Sequence, residues 1–188
     1  MAQDWYTVSL RKHALRKNLR ALRNNLSKDF RTKASRIITA NLIEHLNKKV
    51  IALYYPIHGE VDITSSLEHL ENKIFTLPCI ENKQILFREL HVDQALSKNH
   101  LGVLEPDSKH SVIVKPEIIV VPMLGFDRRL NRIGYGLGYY DQALQIHTEA
   151  FFIGVAFSAQ EVSAIPTEAH DQRLNMIITE REVITICK

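Results

Sequence analysis

Apolar positions near the start of the chain fall at Leu15, Leu19, Leu22 and Leu26. Steps of four, three and four make one apolar face and predict a helix over 7–26. Lys12, Arg16, Arg20 and Arg23 form a basic stripe beside that face. Ser27 is placed to cap a second helix over 28–47, with Phe30, Ile37, Ile38 and Leu42 facing the core. The period then shortens. Val50 to Tyr55 is an apolar run of strand length stopped by Pro56 and Gly59, and Asp62 caps a predicted helix over 63–71. Lys73–Leu77 and Gln84–Arg88 read as strands about a turn at Glu81-Asn82. Residues 91–116 are polar and turn-rich, a loop with at most one short helix. Glu117–Val121 is β-branched and closed by Pro122, which predicts a buried strand. A helix over Tyr139–His147, a strand over Phe151–Ala156, a loop over Ile165–Asn175 and one or two strands within Met176–Cys187 complete the pattern. Strands alternating with helices imply an open α/β sheet covered by helices.

Composition narrows this picture little. At 188 residues and 45% hydrophobic, the chain suits a single core over 1–188, with a basic helical arm over 7–47. No apolar run is long enough for a membrane span, and the polar, cationic start does not resemble a secretory leader. Cys79 and Cys187 lie far apart and near no metal-ligand pattern, so they read as reduced structural thiols of a cytoplasmic protein. Charge is more informative. Residues 1–36 carry ten Lys/Arg against two acids, which leaves 14 against 19 in the rest. A basic arm beside an acidic body points to a polyanionic partner, and nucleic acid, phosphates and an acidic cofactor all qualify.

The candidate chemistry lies in Arg132-Ile133-Gly134-Tyr135-Gly136-Leu137-Gly138-Tyr139-Tyr140-Asp141, between a buried strand and a helix. Glycines let backbone amides approach a ligand, and the helix start that comes next adds free N–H groups and a positive dipole end. Arg128, Arg129 and Arg132 add charge upstream. Asp141 stands where a carboxylate can hold a magnesium ion on phosphate oxygens. The run is not a P-loop, because it leads into no Gly-Lys-Ser/Thr, and its spacing is not G-x-G-x-x-G.

With Pro122-Met123-Leu124-Gly125-Phe126-Asp127 ahead of it, the run resembles the signature of the 5-formyltetrahydrofolate cyclo-ligase family. The similarity extends through Lys12-x-x-Leu15-Arg16, Gly59-Glu60-Val61-Asp62, Leu101-Gly102-Val103-Leu104-Glu105-Pro106 and Pro166-x-x-x-His170-Asp171. It implies a monomeric enzyme with a mostly parallel sheet similar to the sugar-phosphate isomerase and CoA-transferase type. The implied reaction closes 5-formyltetrahydrofolate, free or polyglutamylated, to 5,10-methenyltetrahydrofolate with ATP and Mg²⁺. In it ATP phosphorylates the formyl oxygen and N10 attacks the activated carbon.

By the same resemblance Lys12, Arg16, Arg132, Gly134, Tyr135, Gly136, Leu137, Gly138, Tyr139 and Tyr140 bind ATP. Arg16, Tyr55, Glu60, Tyr135, Gly136, Gly138 and Tyr139 meet the folate. Arg132 and Tyr139 act in catalysis, and Asp141 and Asp171 hold Mg²⁺. The chain departs from the family pattern at Leu137, Gln142 and Asn175, where glycine or lysine, arginine, and a second aspartate are frequent. A lone Glu60 in a Pro/Gly turn would otherwise read as a solvated acid. Trp5 and Tyr6 read as a packing anchor, and His58, His91, His100, His110 and His147 as surface residues. His170 is a candidate for the metal site. Two rival readings stand beside this one: a non-catalytic nucleic-acid-binding protein using the basic helix, and a phosphosugar or CoA-ester enzyme sharing the fold.

Overall fold

The structure is a computed structural model that describes residues 2–68, 72–91, 94–107, 111–168 and 171–186, with side chains described from residue 7 onward. Helix α1 (Ala2–Asn25) starts the chain. Helix α2 (Lys28–His45) begins after Ser27, whose hydroxyl oxygen accepts from the Phe30 amide at 3.1 Å as an N-cap. Strand β1 (Val50–Ala52) leads through a cavity-lining segment to β2 (Ile74–Glu81) and β3 (Gln84–Glu89). Strands β4 (Leu96–Lys98) and β5 (Leu104–Pro106) form a separate ribbon. Then come β6 (Ile118–Pro122), a two-stranded ribbon of β7 (Gly125–Phe126) and β8 (Arg132–Ile133), helix α3 (Tyr139–Ile146), β9 (Phe151–Val155), β10 (Met176–Ile178) and β11 (Val183–Thr185).

Seven strands make the main sheet in the order β11-β10-β9-β6-β1-β2-β3. The five central strands run parallel and both edges are antiparallel. Alternation along β6 explains the two cores. Ile118 and Val120 face Ala34, Ile38 and Leu42 of α2, whereas Ile119 and Val121 face Ala143 and Leu144 of α3. A strand buried on both faces must be apolar at every position, which is why Ile118–Val121 reads as a continuous run. Helix α1 packs Leu19 against Leu124, Ile133 and Ile165. A Cβ at Gly125 would lie 2.5 Å from Leu19 Cδ1 and 3.0 Å from the Gln160 carbonyl oxygen, so only glycine lets α1 approach this ribbon.

Several expectations need correction. Ile37 is 47% exposed because the buried stripe of α2 runs through Ala34, Ile38 and Leu42 instead. Asp62 does cap, accepting from the Thr64 amide at 3.0 Å, but the segment it caps is a 3-10 turn over Thr64–Glu68. Ser66 turns its hydroxyl back onto the Ile63 carbonyl at 2.6 Å, a side-chain bond that favours a tight turn; residues 69–71 lie outside the described residues. Strand β2 runs past Pro78 to Glu81, since β1 ends opposite Thr76 and the missing proline N–H faces no strand of the main sheet there.

Residues 91–116 hold the β4–β5 hairpin. Asn99 Oδ1 accepts from the Leu101 and Val103 amides at 2.8 and 3.1 Å, and Gly102 takes φ +78°. The β7–β8 ribbon intervenes between β6 and the glycine loop. His147, expected at the surface, is half-buried and meets Phe87 edge-on at 5.4 Å; burial lowers its pKa. Cys79 is buried and pushed up to about 12 by desolvation, which keeps it a thiol. Cys187, His110 and His170 lie outside the described residues, as do the side chains of Trp5 and Tyr6. Among the described residues no helix is long and apolar enough to cross a membrane.

Candidate active site

In the sheet, β1 has β2 on one side and β6 on the other, so the chain order reverses between β1 and β6. Ligands of open α/β sheets lie beyond the carboxyl ends of strands at such a reversal. The segment after β1 and the end of β6 here line a cavity of about 250 Å³. Tyr54, Tyr55, Ile57, His58 and Glu60 enter from the first, and Pro122 from the second. Pro78, Ile80 and Ile85 of the β2–β3 hairpin and Leu101 and Val103 of the β4–β5 hairpin make an apolar wall. Arg132 through Asp141 complete the lining, with Lys12, Arg16 and Asp171. All the residues expected to bind ATP, folate or metal therefore line one cavity.

The glycine loop is held open by backbone geometry that only glycine takes easily: Gly136 has φ +98° and Gly138, at the N-cap of α3, has φ +75°. Gly138 offers no side-chain cap, so amides at the start of α3 keep donor capacity toward the cavity side. Arg16 anchors the loop. Its Nε donates to the Gly134 carbonyl at 3.0 Å, and its guanidinium lies 3.2 Å from where a Cβ on Gly136 would stand. Leu137 is 57% exposed and brings no charge.

Asp127 braces the ribbon ahead of the loop: Oδ1 accepts from the Arg129 and Asn131 amides, and Oδ2 from the Ile165 amide at 2.9 Å. Of the three upstream arginines, Arg132 alone lines the cavity. Arg128 turns away to Glu161 and Glu182 on the exposed face. The expectation of a three-arginine cluster is thus corrected. Arg132 has a side chain only 4% exposed; it donates to Asp141 Oδ1 at 2.6 Å and to the Gln172 carbonyl at 2.8 Å.

In the same cavity Glu60 is buried, with Oε2 accepting from the Ile57 amide at 3.0 Å. Desolvation pushes its carboxyl above the ordinary range, while the Ile57 N–H, the charge of Arg23 and the Tyr135 hydroxyl oppose that rise. Tyr135 is pushed up to about 12, and Tyr54 and Tyr140 rise as well, chiefly by burial and next by the charge of Glu60. All three stay neutral beside one carboxylate, and Tyr54 donates its hydroxyl to the Val61 carbonyl at 2.6 Å. Arg23 was legible only as part of the basic stripe. Here it is buried against Tyr135, and nothing in its spacing distinguished it from exposed Arg20.

The carboxylates expected to hold Mg²⁺ are paired with cations. Asp141 meets Arg132, and Asp171 meets Lys12 Nζ at 2.6 Å; Glu168 also meets Lys12, at 2.7 Å. Among the described residues no group of three or more acidic, histidine or cysteine side chains is poised for a metal. This donor set fits Mg²⁺, which takes one or two carboxylates and completes its shell with substrate phosphates and water. Asn175 stays apart from it, since its Oδ1 accepts from the Phe152 amide at 2.7 Å and ties the chain to β9.

An open, mostly parallel α/β sheet with a glycine loop and a buried carboxylate on one cavity at its topological reversal is the arrangement of an enzyme active site. Residues 8–180 match the model of the 5-formyltetrahydrofolate cyclo-ligase family, and the chain belongs to that family of ligases. It is 30% identical over 174 residues to the 5-formyltetrahydrofolate cyclo-ligase of Haemophilus influenzae, covering 86% of this chain and 93% of the relative. The mouse enzyme is 27% identical, with 93% and 96% covered. The solution structure of Aquifex aeolicus 5,10-methenyltetrahydrofolate synthetase superposes with a TM-score of 0.82 at 34% identity, covering 93% of this chain and 92% of that one.

Proposed function

We propose that this enzyme joins N10 of 5-formyltetrahydrofolate to its formyl carbon, using ATP and Mg²⁺, and releases 5,10-methenyltetrahydrofolate, ADP and phosphate. The observation that carries the reading is the single cavity lined by both Glu60 and the Arg132–Asp141 loop. Glu60 accepts hydrogen bonds from the 2-amino group and ring N–H of the pterin, a pairing that needs two acceptor oxygens on one group. Tyr55 and the apolar hairpin walls enclose the ring.

The formyl oxygen then attacks the γ-phosphorus and ADP leaves. N10 adds to the activated carbon and gives up its proton, and the C–O bond breaks, so phosphate departs with the former formyl oxygen. Phosphoryl transfer is governed by positioning and electrostatics. Arg132, the loop amides of Gly134 to Gly138 and the start of α3 hold the transferring oxygens, and Tyr139 donates its hydroxyl to them. Lys12 and Arg16 bind the polyphosphate from α1, Arg16 also reaching the folate side. Asp141 and Asp171 are the residues that would hold Mg²⁺, whose charge when bound neutralises the phosphate oxygens. An arriving polyphosphate competes with both carboxylates for Arg132 and Lys12, and the displaced carboxylates become available to the metal. The same reading has the enzyme act as a monomer.

The direct assay records absorbance of the methenyl product formed from 5-formyltetrahydrofolate. Growth is expected only with ATP and Mg²⁺ both present. Folded protein giving no product under those conditions would sink the reading.

A further inference from the structure

We propose that Arg23 is a positioning residue of the substrate site: its guanidinium holds the Tyr135 hydroxyl, which in turn holds Glu60 for a heterocycle presenting adjacent N–H donors. This rests on the proposed function, in which Glu60 receives the pterin.

Arginine is seldom fully buried without a carboxylate partner, yet Arg23 is 1% exposed. Its hydrogen bonds go to the Met123 carbonyl, at a long 3.4 Å, and to the Tyr135 hydroxyl. Its Nε is buried with no hydrogen-bond partner among the described residues. A buried cation so poorly satisfied is costly unless an anion nearby offsets it. That anion is Glu60. The Tyr135 hydroxyl accepts from Arg23 and acts on the Glu60 carboxylate that lines the same cavity, and the ring stacks beneath the guanidinium with 5.5 Å to its centroid.

The relay spans three elements. Residue 23 lies on α1, residue 135 in the glycine loop and residue 60 beyond β1. It therefore ties the loop that handles phosphate to the carboxylate that handles the ring. Tyr54 from the end of β1 and Tyr140 from α3 also surround Glu60, Arg31 of α2 lies against the adjoining Gly59, and His58 neighbours Tyr135. Of these groups Arg23 is the cation whose charge acts on Glu60 against the effect of burial. Without it the carboxyl takes up a proton more readily, turns one acceptor into a donor and opposes the N–H edge of the ligand.

The test is calorimetric binding of 5-formyltetrahydrofolate and, separately, of Mg-ATP to wild type, Arg23→Met, Arg23→Lys, Tyr135→Phe, Glu60→Gln and the Arg23→Met/Glu60→Gln pair at several pH values. Arg23→Met should weaken folate binding about tenfold near neutrality, the loss of one charge-assisted interaction, and leave Mg-ATP within about twofold. The deficit should shrink as alkali ionises Glu60, Arg23→Lys should restore part of the affinity, and the double variant should bind no worse than Glu60→Gln. Wild-type affinity in Arg23→Met, or an equal loss on the Glu60→Gln background, overturns the proposal. If Arg23→Met does not fold, Tyr135→Phe decides, because wild-type folate affinity there at every pH also overturns it. Wild-type protein that fails to bind 5-formyltetrahydrofolate refutes the proposed function itself, a different outcome.

Discussion

Replacing Arg132 with alanine should lower kcat about 10³-fold while the KM for folate changes little. A single donor aimed at developing charge is typically worth about two to three orders of magnitude, and a catalytic arginine at a transferring phosphoryl group at least as much. The effect is concentrated at this position because Leu137 brings no charge to the loop, and Arg128 is committed to Glu161 and Glu182. Among side-chain charges Arg132 and the cations of α1 are the ones proposed for the transferring group, beside the backbone amides, the Tyr139 hydroxyl and Mg²⁺ when bound. Arg132→Lys should recover only part of the loss, since an ammonium keeps the charge but not the planar fork. Steady-state kinetics alongside thermal melting separate this from unfolding. A folded Arg132→Ala with near-normal kcat would remove Arg132 from the chemistry.

The second large effect is expected at Glu60. Glu60→Gln should cut kcat/KM for folate about 10²-fold, because a site built to pair with a donor edge then offers one acceptor and one misplaced donor. The KM for ATP should stay within about twofold. Glu60 should also make binding depend on pH. Burial raises the Glu60 pKa, so its ionised, double-acceptor form fills at higher pH than for an ordinary carboxylate. Folate affinity should rise with pH through that raised value and fall as acid is added, and Glu60→Gln should lose this dependence. Identical profiles in the two proteins would remove Glu60 from ligand binding.

Elements with strong periodicity were legible in the sequence. The apolar run at Ile118–Val121 is buried on both faces, and Ser27 caps α2 as its residue type suggests. Segments held by side-chain to backbone bonds were not legible. The β4–β5 hairpin depends on Asn99 and Gly102 within a polar stretch, where no alternation signals strand, although Asn-x-x-Gly was its available clue. The β7–β8 ribbon depends on Asp127, whose residue type announces a turn but not its partners Asn131 and Ile165.

Within the site, the glycine loop announced itself by composition. Outside the family resemblance, Glu60 gained meaning only from its burial, and Arg23 only from the Tyr135 ring beside it. A helix stripe gives angle, not depth. Lys12 and Arg23 are buried where Arg20 on the same stripe is exposed.

The formyl group and the terminal phosphate of ATP are expected to meet in the cavity between Glu60 and the Arg132–Asp141 loop. The most direct test of that meeting uses 5-formyltetrahydrofolate labelled with ¹⁸O in the formyl oxygen and mass analysis of the phosphate released during turnover. Transfer of the formyl oxygen to phosphorus predicts one labelled oxygen in each phosphate formed. Unlabelled phosphate, with the label recovered in water, would contradict the account.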